Sequence, residues 1–191
     1  MIDLHTHTTF SDGSLTPTQL VEAAAAMGLT AVAVTDHDTV DGLPEALAAG
    51  ERLGIEVVGG VEINLEHERV TMDMLGYFLG GCPSDELIRE LAELRVYRDE
   101  RNARIVERLA GLGFTLDAAD LAAAAENGSV GRPHIGEALV RRGYVSSVSE
   151  AFELYLGRFA PAWVGRRRLS LGAAVRLLRA SGGLPVLAHP G

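Results

Sequence analysis

Lysine is absent from the 191-residue chain, so all 17 of its basic residues are arginine, a bias that fits genome base composition and excludes no function. Cysteine occurs once, as Cys82. A single thiol excludes an intramolecular disulfide and suits a reducing compartment. No apolar run approaches the roughly 18–20 residues of a membrane span. Nor does the N-terminus show a basic stretch followed by an apolar run, so no signal peptide is expected and the location expected is cytoplasmic. Acidic residues outnumber basic ones, 26 to 17, for a net charge of -9. So acidic a chain is a poor binder of duplex DNA, and any phosphate it handles must be met by metal ions or a few arginines. Low-complexity segments and repeats of fixed period are also missing.

What is present is an alternation of short apolar runs with helical patterns. The length suffices for a sizeable core, and 47% of the residues are hydrophobic, as in ordinary globular proteins. IDLH reads as a strand. TPTQLVEAAAAMG reads as a helix with Thr16 as N-cap, Pro17 in the first position and Gly28 closing it. AVAV is a buried strand, GLPEALAAGERLG a second helix ended by Gly54, and IEVVGGVEIN a third strand. Asp41, just before GLP, is the expected cap of that second helix. This βαβαβ rhythm argues for an α/β fold with a parallel sheet. VTMDMLGYFLG is a fourth strand. From Pro83 to about Ala110 the pattern becomes one long charged helix, whose Glu86/Glu90 and Arg104/Arg108 spacings suit a solvated face. Shorter helices follow to about Leu156, so residues 83–160 are expected to form a helical insert. LSLGAAVRLLRASG and GLPVLAHPG then resume the rhythm.

The chemistry sits where the strands end. Residues i and i+2 of a strand share a face, so His5 and His7 converge and can clamp one metal ion. His37 lies just beyond AVAVT, Glu62 just beyond EVVGG, and His189 just beyond LPVL. Four strands thus each deliver a histidine or glutamate at the C-terminal end, which is where parallel α/β folds build their sites. Asp36 and Asp38, on either side of His37, suit supporting or loop-capping roles. His67, in EHER, reads as a solvent residue of a turn. Ser11 and Ser14 lack a histidine at a spacing that would mark a nucleophile.

Taken together, HTHTTFSDGS, TDHDT, GVEIN, LGYF, GRPHI and LAHPG resemble the PHP (polymerase and histidinol phosphatase) superfamily over Met1–Gly191, with the motifs in the expected order. The nearest branch is the small stand-alone phosphoesterases, which include nucleoside 3′,5′-bisphosphate phosphatases and 5′-to-3′ exoribonucleases trimming short RNA. The resemblance implies a distorted TIM-like (β/α)7 barrel, begun by residues 1–82, interrupted by the insert at 83–160 and resumed over 161–191. It implies two or three divalent ions, Mn, Fe, Zn or Mg. His5 and His7 would hold the first with Glu62. Glu62 would bridge to a second that also takes His189, and Asp12 and His37 would hold the third. Arg132 and His134, in GRPHI, would line the substrate side; without the resemblance Arg132 reads as a surface residue.

Two departures from the family pattern stand out. Where the family usually has a histidine two residues before Leu-Gly-Tyr, this chain has Asp73, whose harder oxygen would favour Mn or Mg over Zn. The family's last motif, an Asp and a His on later strands, has no counterpart before Gly191, so the barrel and its site are expected to be cut short here. The reaction implied is hydrolysis of a phosphomonoester or nucleotide phosphate by a metal-activated water, with no protein nucleophile. Histidinol-phosphate hydrolysis, or a metal-binding module without turnover, are the other readings that the motifs allow.

Overall fold

Capping chemistry sets the first helix. In the computed structural model, which describes residues 1–68, 70–80, 83–124 and 130–190, Thr16 accepts from the Gln19 amide while the Gln19 side chain accepts from the Thr16 amide. That reciprocal box opens α1 (Pro17–Ala26), and Gly28, at φ 75°, turns the chain away after it. Helix α2 (Leu43–Leu53) ends on Gly54 at φ 68°. Its N-cap, however, is Gly42, and Asp41 pairs instead with Arg95. Cys82 lies outside the described residues.

Strands β1 (Ile2–Thr6), β2 (Ala31–Val34) and β3 (Glu56–His67) pair in parallel, as the βαβαβ rhythm requires. Strand β4 (Val70–Phe78) folds back antiparallel along nine residue pairs of β3. The hairpin prolongs β3 well past GVEIN, so Glu62 lies inside a strand rather than beyond its end. Strand β5 (Leu169–Ser170) adds to β3 in parallel, and β6 (Leu184–Leu187) runs antiparallel to β4. Because β6 opposes β4, it runs in the same direction as β1, β2 and β3. The described strands therefore form a mixed, open six-stranded sheet ordered β1-β2-β3-β4-β6, with β5 on β3. The α/β class holds; the closed ring of strands that the resemblance implies is not what this sheet displays.

Alternation along β3 decides the two faces. Val61, Ile63 and Leu65 are fully buried against Val21, Val32, Val34, Leu87, Leu91 and Leu178. Burying one such side chain stabilises by about 1.5–3 kcal/mol. Glu62, Asn64 and Glu66 point to the other face. There Ala33, Leu75, Tyr77 and Ala188 form a small apolar floor.

The chain divides into two compact units, Met1–Arg95 with Arg168–Gly191, and Val96–Arg167. The second unit has its own core, including Ile105, Leu109, Ile135, Leu139 and Leu156. Helix α3 (Asp85–Gly111) contributes to both units; α4 (Ala118–Ala124), α5 (Arg132–Arg141), the single-turn α6 (Val148–Ala151) and a π-helical turn over Phe152–Leu156 belong to the second. Helix α7 (Leu171–Ala180) returns to the first. Among the described residues no helix is long and apolar enough to cross a membrane.

Candidate metal centre

His5 lies in β1 and His7 one residue beyond it, and their ring centroids are 5.1 Å apart. The Thr35 amide donates to Thr6 O, which keeps the two strand ends in step. Past β2, the backbone continues to pair with β3: the Glu62 amide donates to Asp36 O, the Asp38 amide donates to Glu62 O, and His37 bridges Glu62. That pairing puts His37 beside Glu62 and brings its ring onto His7, centroid to centroid 4.7 Å. From β6, His189 brings its ring to 4.9 Å from His5.

One glutamate carboxylate organises this group. Its Oε2 lies 2.9 Å from His5 Nε2, 3.1 Å from His7 Nε2 and 3.4 Å from His37 Nδ1. Its Oε1 lies 3.8 Å from His189 Nε2. Asp12 Oδ1 and Oδ2 are each 3.6 Å from an imidazole nitrogen, of His7 and His37 respectively. Two sets, His5–His7–Glu62 and His7–Asp12–His37, place one donor atom from each residue within 4.8 Å of the others. Donors that share one cation at about 2.1 Å in a tetrahedron stand roughly 3.4 Å apart, so the separations suit a metal ion.

Glu62 supplies the sharper test. The residue is 1% exposed, yet among the described residues its Oε1 has no hydrogen-bond partner. A buried carboxylate oxygen left unsatisfied costs on the order of 1–3 kcal/mol unless something positive meets it. Imidazoles and carboxylates around such an atom are a donor set for a divalent cation.

The electrostatics agree. Burial opposes ionisation of Glu62, but hydrogen bonds from His7 and His5 and the charges of His37 and His5 outweigh it and hold the carboxyl at about 2. Burial likewise opposes protonation of His7, but the hydrogen bond to Glu62 and the charges of Asp12, Glu62 and Asp36 raise its pKa above 6.5. In the metal-free chain the Glu62 carboxylate and the His7 imidazole thus each favour the charged form of the other.

Asp73 stands apart from both donor sets. It faces the same side of the sheet as Glu62, and its Oδ1 accepts from Asn64 Nδ2 at 2.6 Å. Arg168 Nε in turn donates to Asn64 Oδ1 at 2.6 Å, and Arg168 pairs with Glu66 at 3.6 Å. The Ala188 amide donates to Asp73 O, which ties this position to the approach of His189. Arg132 and His134 belong to the second unit, in the first turn of α5. Arg132 lies over the Phe152 ring at 5.6 Å, and His134 Nδ1 accepts from the Gly131 amide, capping the helix. His67 is half exposed at the end of β3.

Several further residues support this group. Asp36 is buried and accepts from the Thr8 amide (2.7 Å), Thr8 Oγ1 (2.6 Å) and Ser11 Oγ (2.7 Å), which fastens the loop that carries His7 and Asp12. Ser11 also lies 3.4 Å from His7 Nδ1, so its hydroxyl is engaged in holding the loop. Gly13 is forced, since a Cβ there would stand 2.2 Å from His7 O. Asp36 shows itself in the sequence only as one of two acids beside His37. Asn64 and Arg168 carry no local signal beyond their places in GVEIN and an arginine run.

The PHP domain matches residues 3–159. A 5′-3′ exoribonuclease of Haemophilus influenzae is 36% identical over 188 residues, 98% of this chain and 68% of that protein. A 3′,5′-nucleoside bisphosphate phosphatase of Chromobacterium violaceum is 36% identical over 198 residues, 100% of this chain and 67% of that protein. A crystal structure assigned as a metal-dependent phosphoesterase, from Bifidobacterium adolescentis, superposes with a TM-score of 0.89 at 36% identity, covering 100% of this chain and 67% of its own. The chain spans about two-thirds of the length of the curated relatives it matches. It belongs to the PHP domain family and is a metal-dependent phosphoesterase of that family.

Proposed function

We propose that the chain hydrolyses a phosphate ester of a nucleotide, either a nucleoside bisphosphate or the 5′ end of a short RNA, at the centre built on Glu62. The observation that carries this reading is the buried Glu62 Oε1, without a hydrogen-bond partner among the described residues and set among histidines from three other strand ends. His5, His7 and Glu62 would hold one divalent ion, Glu62 with His189 a second, and Asp12 with His37 a third. Asp73, hydrogen-bonded by Asn64, would join the second. Bound ions would supply an acidified water as nucleophile and positive charge for the phosphate oxygens. The chain's own residues do the rest. Asp36 and Ser11 keep His7 and Asp12 in place. The apolar floor of Ala33, Leu75, Tyr77 and Ala188 excludes water from one side of the site. Arg132 and His134 meet the substrate, the guanidinium as a planar partner for phosphate.

Residues 83–160 act in this reading as the insert that selects the substrate. The sheet belongs to a distorted (β/α)7 barrel, a view supported by β1, β2, β3 and β6 all running one way and delivering donors at one end. Relatives named for nucleotide and RNA substrates support the substrate class. The test is release of phosphate from a nucleoside 3′,5′-bisphosphate and from an aryl phosphate with added Mn. Hydrolysis of both is expected, and its loss in His7→Ala. A His7→Ala protein as active as the unaltered chain would overturn the assignment.

A further inference from the structure

We infer that the second unit carries a stacking platform for a nucleobase, made by Phe159, Trp163 and Arg158; the inference rests on the nucleotide reading above for its class of ligand. Phe159 is 79% exposed and sits at φ 69°. A bulky residue in the left-handed region is a strained outlier, and an exposed ring gains little from burial in return. Its ring lies 5.6 Å from that of Trp163, tilted by 49°, and the Arg158 guanidinium stands 5.0 Å over it.

The loop does not need that ring to close. The Ala160 amide donates to Gly157 O, the Ala162 amide to Tyr155 O and the Trp163 amide to Ala160 O, while Arg108 holds Trp163 O. What the ring offers instead is an open aromatic face next to a second aromatic and a cation. That combination suits a planar base beside a phosphate, because any base can stack and a guanidinium serves both partners. The charge balance points the same way. Val96–Arg167 holds ten arginines against nine acidic residues, whereas the rest of the chain holds seven against seventeen. Arg166 and Arg167 follow the platform directly in sequence. An anionic ligand is therefore repelled least by the unit that carries the exposed ring.

Trp163 is the chain's one tryptophan, so its fluorescence reads this platform alone. The experiment is a titration of the full chain in chelator, with a nucleoside 3′,5′-bisphosphate, a short single-stranded RNA or ribose 5-phosphate. Quenching by the base-bearing ligands and none by ribose 5-phosphate is expected. If the bisphosphate quenches, the platform takes a mononucleotide; if only RNA does, it takes a base of a longer strand. Phe159→Gly should weaken binding by about tenfold. It should leave the melting temperature unchanged or raised, since glycine accepts this φ. Phe159→Tyr should restore the affinity. Equal quenching by ribose 5-phosphate, or a Phe159→Gly chain that melts lower and binds as before, would overturn the inference and mark the pair as a loop staple. Base-dependent quenching without phosphate release sinks only the hydrolytic reading. Phosphate release without base-dependent quenching sinks only the platform.

Discussion

Glu62 is the residue on which the site turns, and two expectations belong to it. In Glu62→Gln the side chain keeps its shape and loses its charge, so the imidazoles of His5, His7 and His37 face an amide. Loss of a residue that merely orients a ligand lowers metal affinity by about 10- to 100-fold, and loss of Glu62 should exceed that. Calorimetric titration with Mn measures it; affinity within a few-fold of the unaltered chain would remove Glu62 from the metal set. The second expectation concerns pH in the absence of metal. The Glu62 carboxyl is depressed from 4.5 to about 2, so its contribution is present above about pH 4.5 and lost as pH falls toward 2. Its size is on the order of 3 kcal/mol. The pKa of His7 is raised above 6.5, so its contribution is full below that value and fades as pH rises past it. A chelated sample should therefore melt highest between about pH 4.5 and 6.5. Added Mn should stabilise most above that window, because protons and the metal ion compete for the same donor atoms. A metal-free melting point that climbs steadily to alkaline pH would contradict the His7–Glu62 contact. At this scale the histidines and Glu62 were legible, because each follows or sits in an apolar strand. Asn64 and Arg168 were not, because a hydrogen bond between residues 104 positions apart leaves no local pattern.

At the scale of elements, the legible parts were those with local rules. Thr16, Pro17 and Gly28 announce α1, and Gly54 announces the end of α2. Asp41 shows where such rules stop: it precedes a helix but its carboxylate serves Arg95, 54 residues away, and Gly42 takes the cap. The extent of β3 is a second case, since its length is fixed by the partner strand β4 rather than by its own composition. The loop after β1 is held in the same non-local manner. Asp36 accepts three hydrogen bonds from Thr8 and Ser11, and Asp36→Ala would leave the two Thr8 donors buried and unmatched and Ser11 with only its longer contacts to His7 and Asp12. A loss of about 3 kcal/mol in urea unfolding of the chelated chain is expected. Metal affinity should fall with it, because His7 and Asp12 lie on the loosened loop. An Asp36→Ala chain of unchanged stability would show that water satisfies these donors and that the loop is held by other contacts.

At the scale of the whole molecule, the sequence showed a long charged helix starting near Pro83 and a helical stretch after it. Composition alone could not show that α3 serves two cores. Leu87, Leu91 and Leu94 on its first half pack in the core of the first unit, and Ile105 and Leu109 on its second half pack in the other. The apolar spacing runs on without a break, so nothing in the pattern marks the change of partner. The two clusters share no residue, and the metal donors of the candidate centre all belong to the first unit. Metal and core substitutions should then act on different units. Leu139 is fully buried in the second core, and Leu139→Ala should cost about 3 kcal/mol there through lost burial and the cavity left behind. Saturating Mn stabilises only the fold that binds it, by about 2.7 kcal/mol at a hundredfold excess over the dissociation constant. In scanning calorimetry, Leu139→Ala with Mn should therefore show two separated transitions, one lowered by the substitution and one raised by the metal. A single transition moved by both would mean that α3 transmits stability from one core to the other, and that the chain unfolds as one cooperative body despite its two cores.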